Sequence, residues 1–328
     1  MKKIDGHVHL IRALAGLNGK GRLTPLGDGK AIFDDGEVIQ LIPKGWGTDQ
    51  VLAENFLKIM EQHEIERAVL LQGSLNGYQN YYSYQVVKRY PEKFSAAFAI
   101  DPFAKEAQKI VKRYVEVLGF RALKLEISEG GGLHGYHRPF SLTTESRVGW
   151  IMHYLAAYPG FVIVVDYGAA EQSSYQPEAL AELARRYPQL DFVVCHLSFP
   201  NADRPAQLRN VLQQFAPYQN IAVDLSAVQD IEGERSNAFP YPRSQQDVLC
   251  AKEFLGAKRL VWGTDSPWSA TFNRYEQLAT WLEASQLFTP SELHAVMYAN
   301  AERIYFKPDH IEAFRQSEDL ALKNFRCP

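Results

Sequence analysis

The feature of this 328-residue sequence that most restricts its fold is a short apolar run that recurs eight times, with helix-like segments between the runs. Each run holds a few residues and is bounded by turn-forming residues, as expected for strands that are buried on both faces. The runs lie at 3–5, 67–71, 94–100, 121–125, 161–165, 192–195, 221–225 and 260–262. Strands that alternate with helices indicate a parallel sheet, and eight repeats close most simply into an α/β (β/α)8 TIM barrel.

A doubly wound open sheet is the rival arrangement of parallel strands and helices. No Gly-x-Gly-x-x-Gly follows the first run, however, so the usual sequence reason to prefer a dinucleotide-binding sheet is missing. Helix-like segments between the runs include 104–117, 177–186 and 246–255. We therefore predict the barrel.

A long segment without periodicity separates the first run from the first helix. Residues 11–46 are rich in Gly and Lys, which predicts an irregular insertion that lies over the site if the first strand ends there. Thr48 and Asp49 offer an N-cap for a helix that reaches about His63. No linker, repeat or low-complexity tract divides the chain. We expect one domain over residues 1–328, with a tail from about residue 306 that packs as a terminal helix.

Composition narrows the function classes. A net charge of −3 gives no broad attraction for nucleic acid or an anionic membrane surface. The three widely spaced cysteines, Cys195, Cys250 and Cys327, indicate neither a disulfide framework nor a structural zinc site. No targeting segment and no continuous apolar run of about 18 residues is present. We expect a cytoplasmic protein that acts on a small molecule, without a nucleic-acid or membrane partner.

Two histidines, His7 and His9, follow the first run with one residue between them. Alternate side chains on an extended strand share a face, so both imidazoles can reach one metal ion. In a TIM barrel, catalytic groups lie at the carboxyl ends of the strands. The pair is therefore expected at the mouth of the barrel.

The same rule selects polar side chains at the ends of four other runs. Glu126 directly follows the fourth run, Asp166 the fifth and His196 the sixth, and Asp265 lies three residues after the eighth. Imidazoles and carboxylates that converge on one mouth make a chemically sensible site for a divalent metal ion. We therefore regard these four residues as candidates for the site.

Four further polar residues have other expected roles. Lys124 shares a face with Glu126, and it either pairs with that carboxylate inside the barrel or bridges two metal ions after carboxylation. Asp224 lies inside the seventh run, which favours a buried structural hydrogen bond. His134 and His137 follow the fourth run in a loop that can reach the mouth, so we treat both as substrate-binding candidates.

Five segments together carry a family resemblance. They lie at 5–9, 80–94, 192–197, 259–267 and 300–305, and they include Asp5-Gly6-His7-Val8-His9 and Trp262-Gly263-Thr264-Asp265-Ser266-Pro267. In this order and spacing, the chain resembles the amidohydrolase superfamily, specifically its amidohydrolase-related branch (amidohydrolase family 2) of TIM-barrel metal-dependent hydrolases and decarboxylases. The resemblance covers nearly the whole chain, from Asp5 to about Tyr305.

The resemblance implies roles for the residues at the mouth. His7, His9 and Asp265 would bind one divalent metal, usually zinc, and His196 would contact the attacking water, the substrate or a second metal. Many relatives have a metal-binding His at the end of the fifth strand, where this chain has Asp166. A carboxylate there could still bind the metal and would favour manganese, iron or zinc of mixed coordination, or Glu126 would supply the missing ligand. A third alternative is that no metal binds, as in some lactonases on this scaffold.

The first functional hypothesis is metal-dependent hydrolysis of an ester, lactone or amide bond in a small cyclic or carboxylate-bearing substrate, with a metal-activated water. Asp265 would take a proton from water and deliver it to the leaving group, and His196 would stabilise the oxyanion. The alternatives are non-oxidative decarboxylation of an aromatic or unsaturated acid, metal-independent lactone hydrolysis, and a barrel that binds without catalysis. The resemblance also makes a homodimer an option, although the sequence shows no interface stripe.

Overall fold

All eight predicted runs form strands in the computed structural model, which describes residues 1–231 and 237–318. The thirteen strands of the described residues are β1 (Lys3–Val8), β2 (Leu17–Asn18), β3 (Gly21–Gly27), β4 (Lys30–Phe33), β5 (Val38–Gln40), β6 (Ile65–Leu70), β7 (Phe94–Ala96), β8 (Phe98–Ala99), β9 (Ala122–Glu126), β10 (Val162–Asp166), β11 (Asp191–Val194), β12 (Ile221–Asp224) and β13 (Leu260–Val261).

The parallel strands form a ring. β1 pairs with β6 and β6 with β7, and β8 to β13 pair in chain order. β7 and β8 are separated only by Ala97, whose N–H donates to the carbonyl of Leu70 on β6. Hydrogen bonds also join the segment after β13 to β1, from Gly6 N to Trp262 O at 3.0 Å and from Asp265 N to His7 O at 2.9 Å. The predicted TIM barrel is confirmed.

Gly6 lies where the backbone of β1 closely approaches the segment after β13. A Cβ atom on Gly6 would lie 2.7 Å from the carbonyl oxygen of Trp262. A larger residue would therefore push β1 away from the segment after β13. Because His7 and Asp265 flank this seam, the glycine also helps to bring them together.

Helices cover the outside of the ring. They are α1 (Ala53–Gln62), α2 (Asn80–Arg89), α3 (Ala107–Lys112), α4 (Ser146–Leu155), α5 (Pro177–Arg186), α6 (Pro205–Phe215), α7 (Val228–Ile231), α8 (Pro242–Leu255), α9 (Tyr275–Ser285), α10 (Pro290–His294), α11 (Asn300–Tyr305) and α12 (Pro308–Gln316). The apolar core has two parts, one between the strands and the helices and one inside the ring. Ala301, Ile304 and Tyr305 of α11 belong to the inner part. Among the described residues, no helix is both long enough and apolar enough to cross a membrane.

The predicted tail helix is present as α12, but two local expectations were wrong. The insertion is not irregular, because β2 to β5 form a four-stranded antiparallel sheet. It contacts loops beside the barrel mouth, with a hydrogen bond from the Asn18 side chain to Gly130 O at 3.0 Å. The first helix begins at Ala53, after an N-cap Leu52 without a side-chain hydrogen bond, and not at Thr48 or Asp49.

A buried arginine ties two helix ends to the barrel. Arg259 is 7% exposed, and its guanidinium donates hydrogen bonds to the backbone carbonyls of Leu255, Phe215, Tyr218 and Ala216. These carbonyls lie at the ends of α6 and α8, where a helix leaves its last carbonyls without partners.

We expect Arg259→Met to lower the free energy of unfolding by about 2 to 4 kcal/mol, because it leaves several buried carbonyls without donors. Urea denaturation would measure the loss. The matched variant Arg209→Met, at an exposed position on α6, should change the stability by less than about 0.5 kcal/mol. An equal effect of the two substitutions would contradict this role for Arg259.

Candidate active site

His7, on β1, and His9, just after it, each have a hydrogen-bond partner at the ring nitrogen Nδ1. His7 Nδ1 lies 2.9 Å from Asp224 Oδ2, and His9 Nδ1 lies 2.9 Å from the carbonyl oxygen of Leu71. An Nδ1–H that donates to a carboxylate or a carbonyl fixes the ring and leaves Nε2 unprotonated. Both Nε2 atoms are therefore oriented as ligands.

Asp265 places a carboxylate oxygen beside both Nε2 atoms. Its Oδ1 atom lies 3.0 Å from His9 Nε2 and 3.4 Å from His7 Nε2. Asp265 has a left-handed backbone conformation, with φ of 57°, and its N–H donates to His7 O. One atom from each of these three buried residues lies within 4.8 Å of the others, which is a spacing that suits a metal ion.

The protonation states of this group also suit a cation. Burial lowers the pKa of His7 to about 4, and burial likewise lowers the pKa of His9. Burial alone would raise the pKa of Asp265, but its contact with His9 and the charge of His196 hold it below its ordinary value. At neutral pH the group therefore offers two neutral imidazoles and one carboxylate.

Asp224 forms hydrogen bonds with residues at and next to the group of His7, His9 and Asp265. Besides its contact with His7, its Oδ1 atom accepts hydrogen bonds from the N–H groups of His196, at 3.1 Å, and Ser226, at 3.0 Å. The predicted buried hydrogen bond is confirmed, although Asp224 is the last residue of β12 and not an interior one. The carboxylate therefore connects the ends of β1, β11 and β12.

His196 and Asp166 form a second pair. His196 Nε2 lies 3.6 Å from Asp166 Oδ2, and His196 Nδ1 lies 3.0 Å from Ser226 O. Burial opposes the charged form of His196, but the interaction of its Nε2–H with the Asp166 carboxylate and the charge of Asp265 raise its pKa to about 10. Within the described residues, Asp166 does not join the close group of His7, His9 and Asp265. Its predicted role as a ligand stays a prediction.

Lys124 lies beside His7 and Glu126. Its Nζ atom is 3.4 Å from His7 Nε2 and 3.9 Å from Glu126 Oε2, which confirms the pairing with Glu126. Burial raises the pKa of Glu126 to about 8, although the charge of Lys124 lowers it. Glu126 is also outside the close group in the described part of the chain, and its role as a ligand likewise stays a prediction.

The two loop histidines make contacts away from this group. His134 Nδ1 lies 3.3 Å from Ser173 Oγ, and its Nε2 accepts a hydrogen bond from Phe140 N at 3.2 Å. His137 Nε2 lies 2.8 Å from Asp101 Oδ2. Neither histidine lines the cavity at the barrel mouth, so a part in substrate binding remains a prediction.

The mouth holds a cavity of about 440 Å³. Its polar lining includes residues expected from the sequence, namely His9, Lys124, Glu126, Asp166, His196 and Asp265. Sequence reasoning missed other lining residues: Leu75, Phe199, Asp230, Trp268 and Phe272. A signal for Trp268 existed, because it follows Asp265 by only three residues in the loop that leaves the eighth strand.

Two comparisons with known proteins match the sequence of this chain. A family model described as amidohydrolase matches residues 4–307. L-fucono-1,5-lactonase from Burkholderia ambifaria is 30% identical over 109 residues, a segment that is 32% of this chain and 36% of that enzyme.

Two solved structures have similar folds. An amidohydrolase from Burkholderia multivorans with bound zinc has a TM-score of 0.70 at 16% identity, covering 94% of this chain and all of that one. The 5-carboxyvanillate decarboxylase from Sphingomonas paucimobilis has a TM-score of 0.54 at 14% identity, covering 76% of this chain and 82% of that one. At these identities, the likeness establishes a shared fold.

Proposed function

The chain belongs to the amidohydrolase family, and on that premise we propose that it is a metal-dependent hydrolase that opens a small cyclic ester, a lactone. The observation that carries the proposal is the close group of His7 Nε2, His9 Nε2 and Asp265 Oδ1 beside a cavity of substrate size. Groups of this kind are typical of catalytic zinc sites that leave a position open for water or substrate.

The residues present fit a divalent metal ion. His7 and His9 both have their second ring nitrogen held by an acceptor, and Asp265 would complete a set of two nitrogen ligands and one oxygen ligand. A metal ion held there would lower the pKa of water and polarise the substrate carbonyl. Zinc suits this set, and manganese or iron is the alternative if Asp166 or Glu126 adds a further oxygen.

The side chains would divide the work of hydrolysis. Asp265, whose pKa is held below its ordinary value, is ionised at neutral pH and would take the proton of the attacking water, then return it to the ring oxygen that leaves. His196, with a raised pKa, would donate a hydrogen bond from Nε2 to the oxygen on which negative charge develops. Asp224 would keep His7 and His196 in register.

A lactone is our choice of substrate for two reasons. The matched segment of L-fucono-1,5-lactonase supports it, although that segment covers only about a third of each chain. A cavity of about 440 Å³ is also of a size that suits a single-ring compound. Decarboxylation on the same fold remains the competing reaction.

The test is product analysis with the zinc-loaded enzyme. We expect ring opening of δ- or γ-lactones, measured as one equivalent of acid released per substrate, with kcat/KM above about 10⁴ M⁻¹s⁻¹. Aromatic acids, measured by carbon dioxide release, should give no turnover. Carbon dioxide release without lactone opening would overturn the proposal in favour of decarboxylation, and turnover of neither class would overturn both reactions.

A further inference from the structure

Lys124 and Glu126 line the cavity, and the proposed hydrolysis gives neither of them a proton-transfer step. Both are on β9, both face the inside of the barrel, and both line the cavity. Within residues 1–231 and 237–318, the Glu126 carboxylate accepts no hydrogen bond, and its nearest cation is Lys124 Nζ at 3.9 Å. The Glu126 side chain is 12% exposed. Its oxygen atoms are thus available to a ligand.

Two glycines make room for this carboxylate. A Cβ atom on Gly73 would lie 1.7 Å from Glu126 Oε2, and a Cβ atom on Gly131 would lie 2.5 Å from Glu126 Oε1. Neither glycine has a positive φ, so backbone conformation does not require glycine at these positions. The missing side chains instead let Glu126 lie between the loops that follow β6 and β9 and reach the cavity.

The spacing of the pair matches one hydroxyl group. An oxygen placed about 2.8 Å from both Lys124 Nζ and Glu126 Oε2 would accept a hydrogen bond from the ammonium and donate one to the carboxylate. A separation of 3.9 Å between these two atoms allows that placement. Water or a hydroxyl group both donates and accepts in this way, whereas a ketone, an ether or a carboxylate only accepts.

Charged groups of both signs line the cavity. Four carboxyl groups line it, those of Glu126, Asp166, Asp230 and Asp265. No arginine is present in the lining that the structure describes. The positively charged groups of the described lining are Lys124 and His196.

We propose that Lys124 and Glu126 form a hydroxyl-binding subsite, and that the enzyme therefore selects hydroxylated lactones over unsubstituted ones. This inference rests on the proposed lactone hydrolysis for its substrate class. Trp268 and Phe272 add an aromatic part to the lining, which suits the C–H groups of a sugar-like ring.

The test measures recognition separately from turnover. Calorimetry on the zinc-loaded protein would compare δ-valerolactam with a set of hexonic-acid δ-lactams that differ in hydroxyl configuration. We expect at least one hydroxylated lactam to bind the wild-type protein more than about tenfold tighter than valerolactam. Glu126→Gln should remove at least tenfold of that preference and change valerolactam binding by less than threefold.

A positioning variant and matched controls complete the design. Gly73→Ala should reduce the preference as Glu126→Gln does, because its methyl group displaces the carboxylate. Gly149→Ala, where a Cβ atom meets nothing within 4 Å, and Glu171→Gln, on the exposed loop after β10, should keep it.

The subsite proposal is overturned if the wild-type protein shows no preference or if the preference persists in Glu126→Gln. It is also overturned if Glu126→Gln weakens the binding of both lactam classes equally. If the preference depends on Glu126 but no lactone is opened, the proposed reaction fails and the subsite stands. If lactones are opened without a preference, the reaction stands and the subsite fails.

Discussion

Asp265→Asn is expected to lower kcat/KM for lactone opening by at least about 10³-fold, because it removes the group that accepts and returns the proton. Asn has nearly the shape of Asp, but its amide cannot take a proton at neutral pH. The carboxylate of Asp265 faces both His7 Nε2 and His9 Nε2, so the substitution acts at the centre of the proposed site.

The fold should tolerate this substitution. Asp265 has φ of 57°, a left-handed conformation that Asn adopts more readily than most residues. Its backbone N–H bond to His7 O does not involve the side chain. We therefore expect a circular dichroism spectrum and a Tm close to those of the wild-type protein.

Two measurements separate proton transfer from loss of metal. Activity is measured at saturating zinc, and the zinc content is measured on the same sample. A weaker affinity for zinc is then not mistaken for a loss of proton transfer. Asp28→Asn is the matched control, since Asp28 also has a positive φ, of 51°, but is exposed on the insertion. Full activity of zinc-loaded Asp265→Asn would eliminate Asp265 as the general base.

The barrel was predictable because its strands are buried on both faces. Such strands read as continuous apolar runs, and helix 177–186 was predicted with its observed bounds, Pro177–Arg186. The small sheet of the insertion was not predictable in this way. Its longest strand, β3, is mostly exposed, with one buried residue, so its sequence carries no apolar alternation.

The positions of the site residues followed from the barrel, but their partners did not. His7, His9 and Asp265 meet because the carboxyl ends of all strands face one mouth. Which carboxylate lies nearest to each histidine depends on side-chain positions in the folded barrel, and sequence spacing does not specify these. The contact of His9 with Leu71 O involves a backbone atom, which no residue pattern reveals.

Removal of both histidines is expected to abolish metal binding. The wild-type protein should hold about one zinc per chain, and the His7→Ala/His9→Ala variant should hold none, with activity reduced by at least about 10⁴-fold. Plasma mass spectrometry on protein purified without added metal measures the content. His153→Ala/His294→Ala, at two exposed positions, is the matched control. Because loss of His7 removes the contact of the buried Asp224 Oδ2 atom, His9→Asn alone serves as a second variant that spares this contact.

The depressed pKa values of the ligands set the acid limit of metal binding. A histidine whose pKa in the folded protein is below its ordinary value of 6.5 resists protonation to lower pH, and the pKa of His7 is lowered to about 4. Zinc affinity should therefore change little through His7 from about pH 8 to about pH 5, and it should fall tenfold per unit only below about pH 4. A fall in zinc affinity that begins near pH 6.5 would show that the pKa of His7 is not lowered in the folded protein. Activity that survives complete chelation of zinc would show that Asp265 and the histidines catalyse the reaction without a metal.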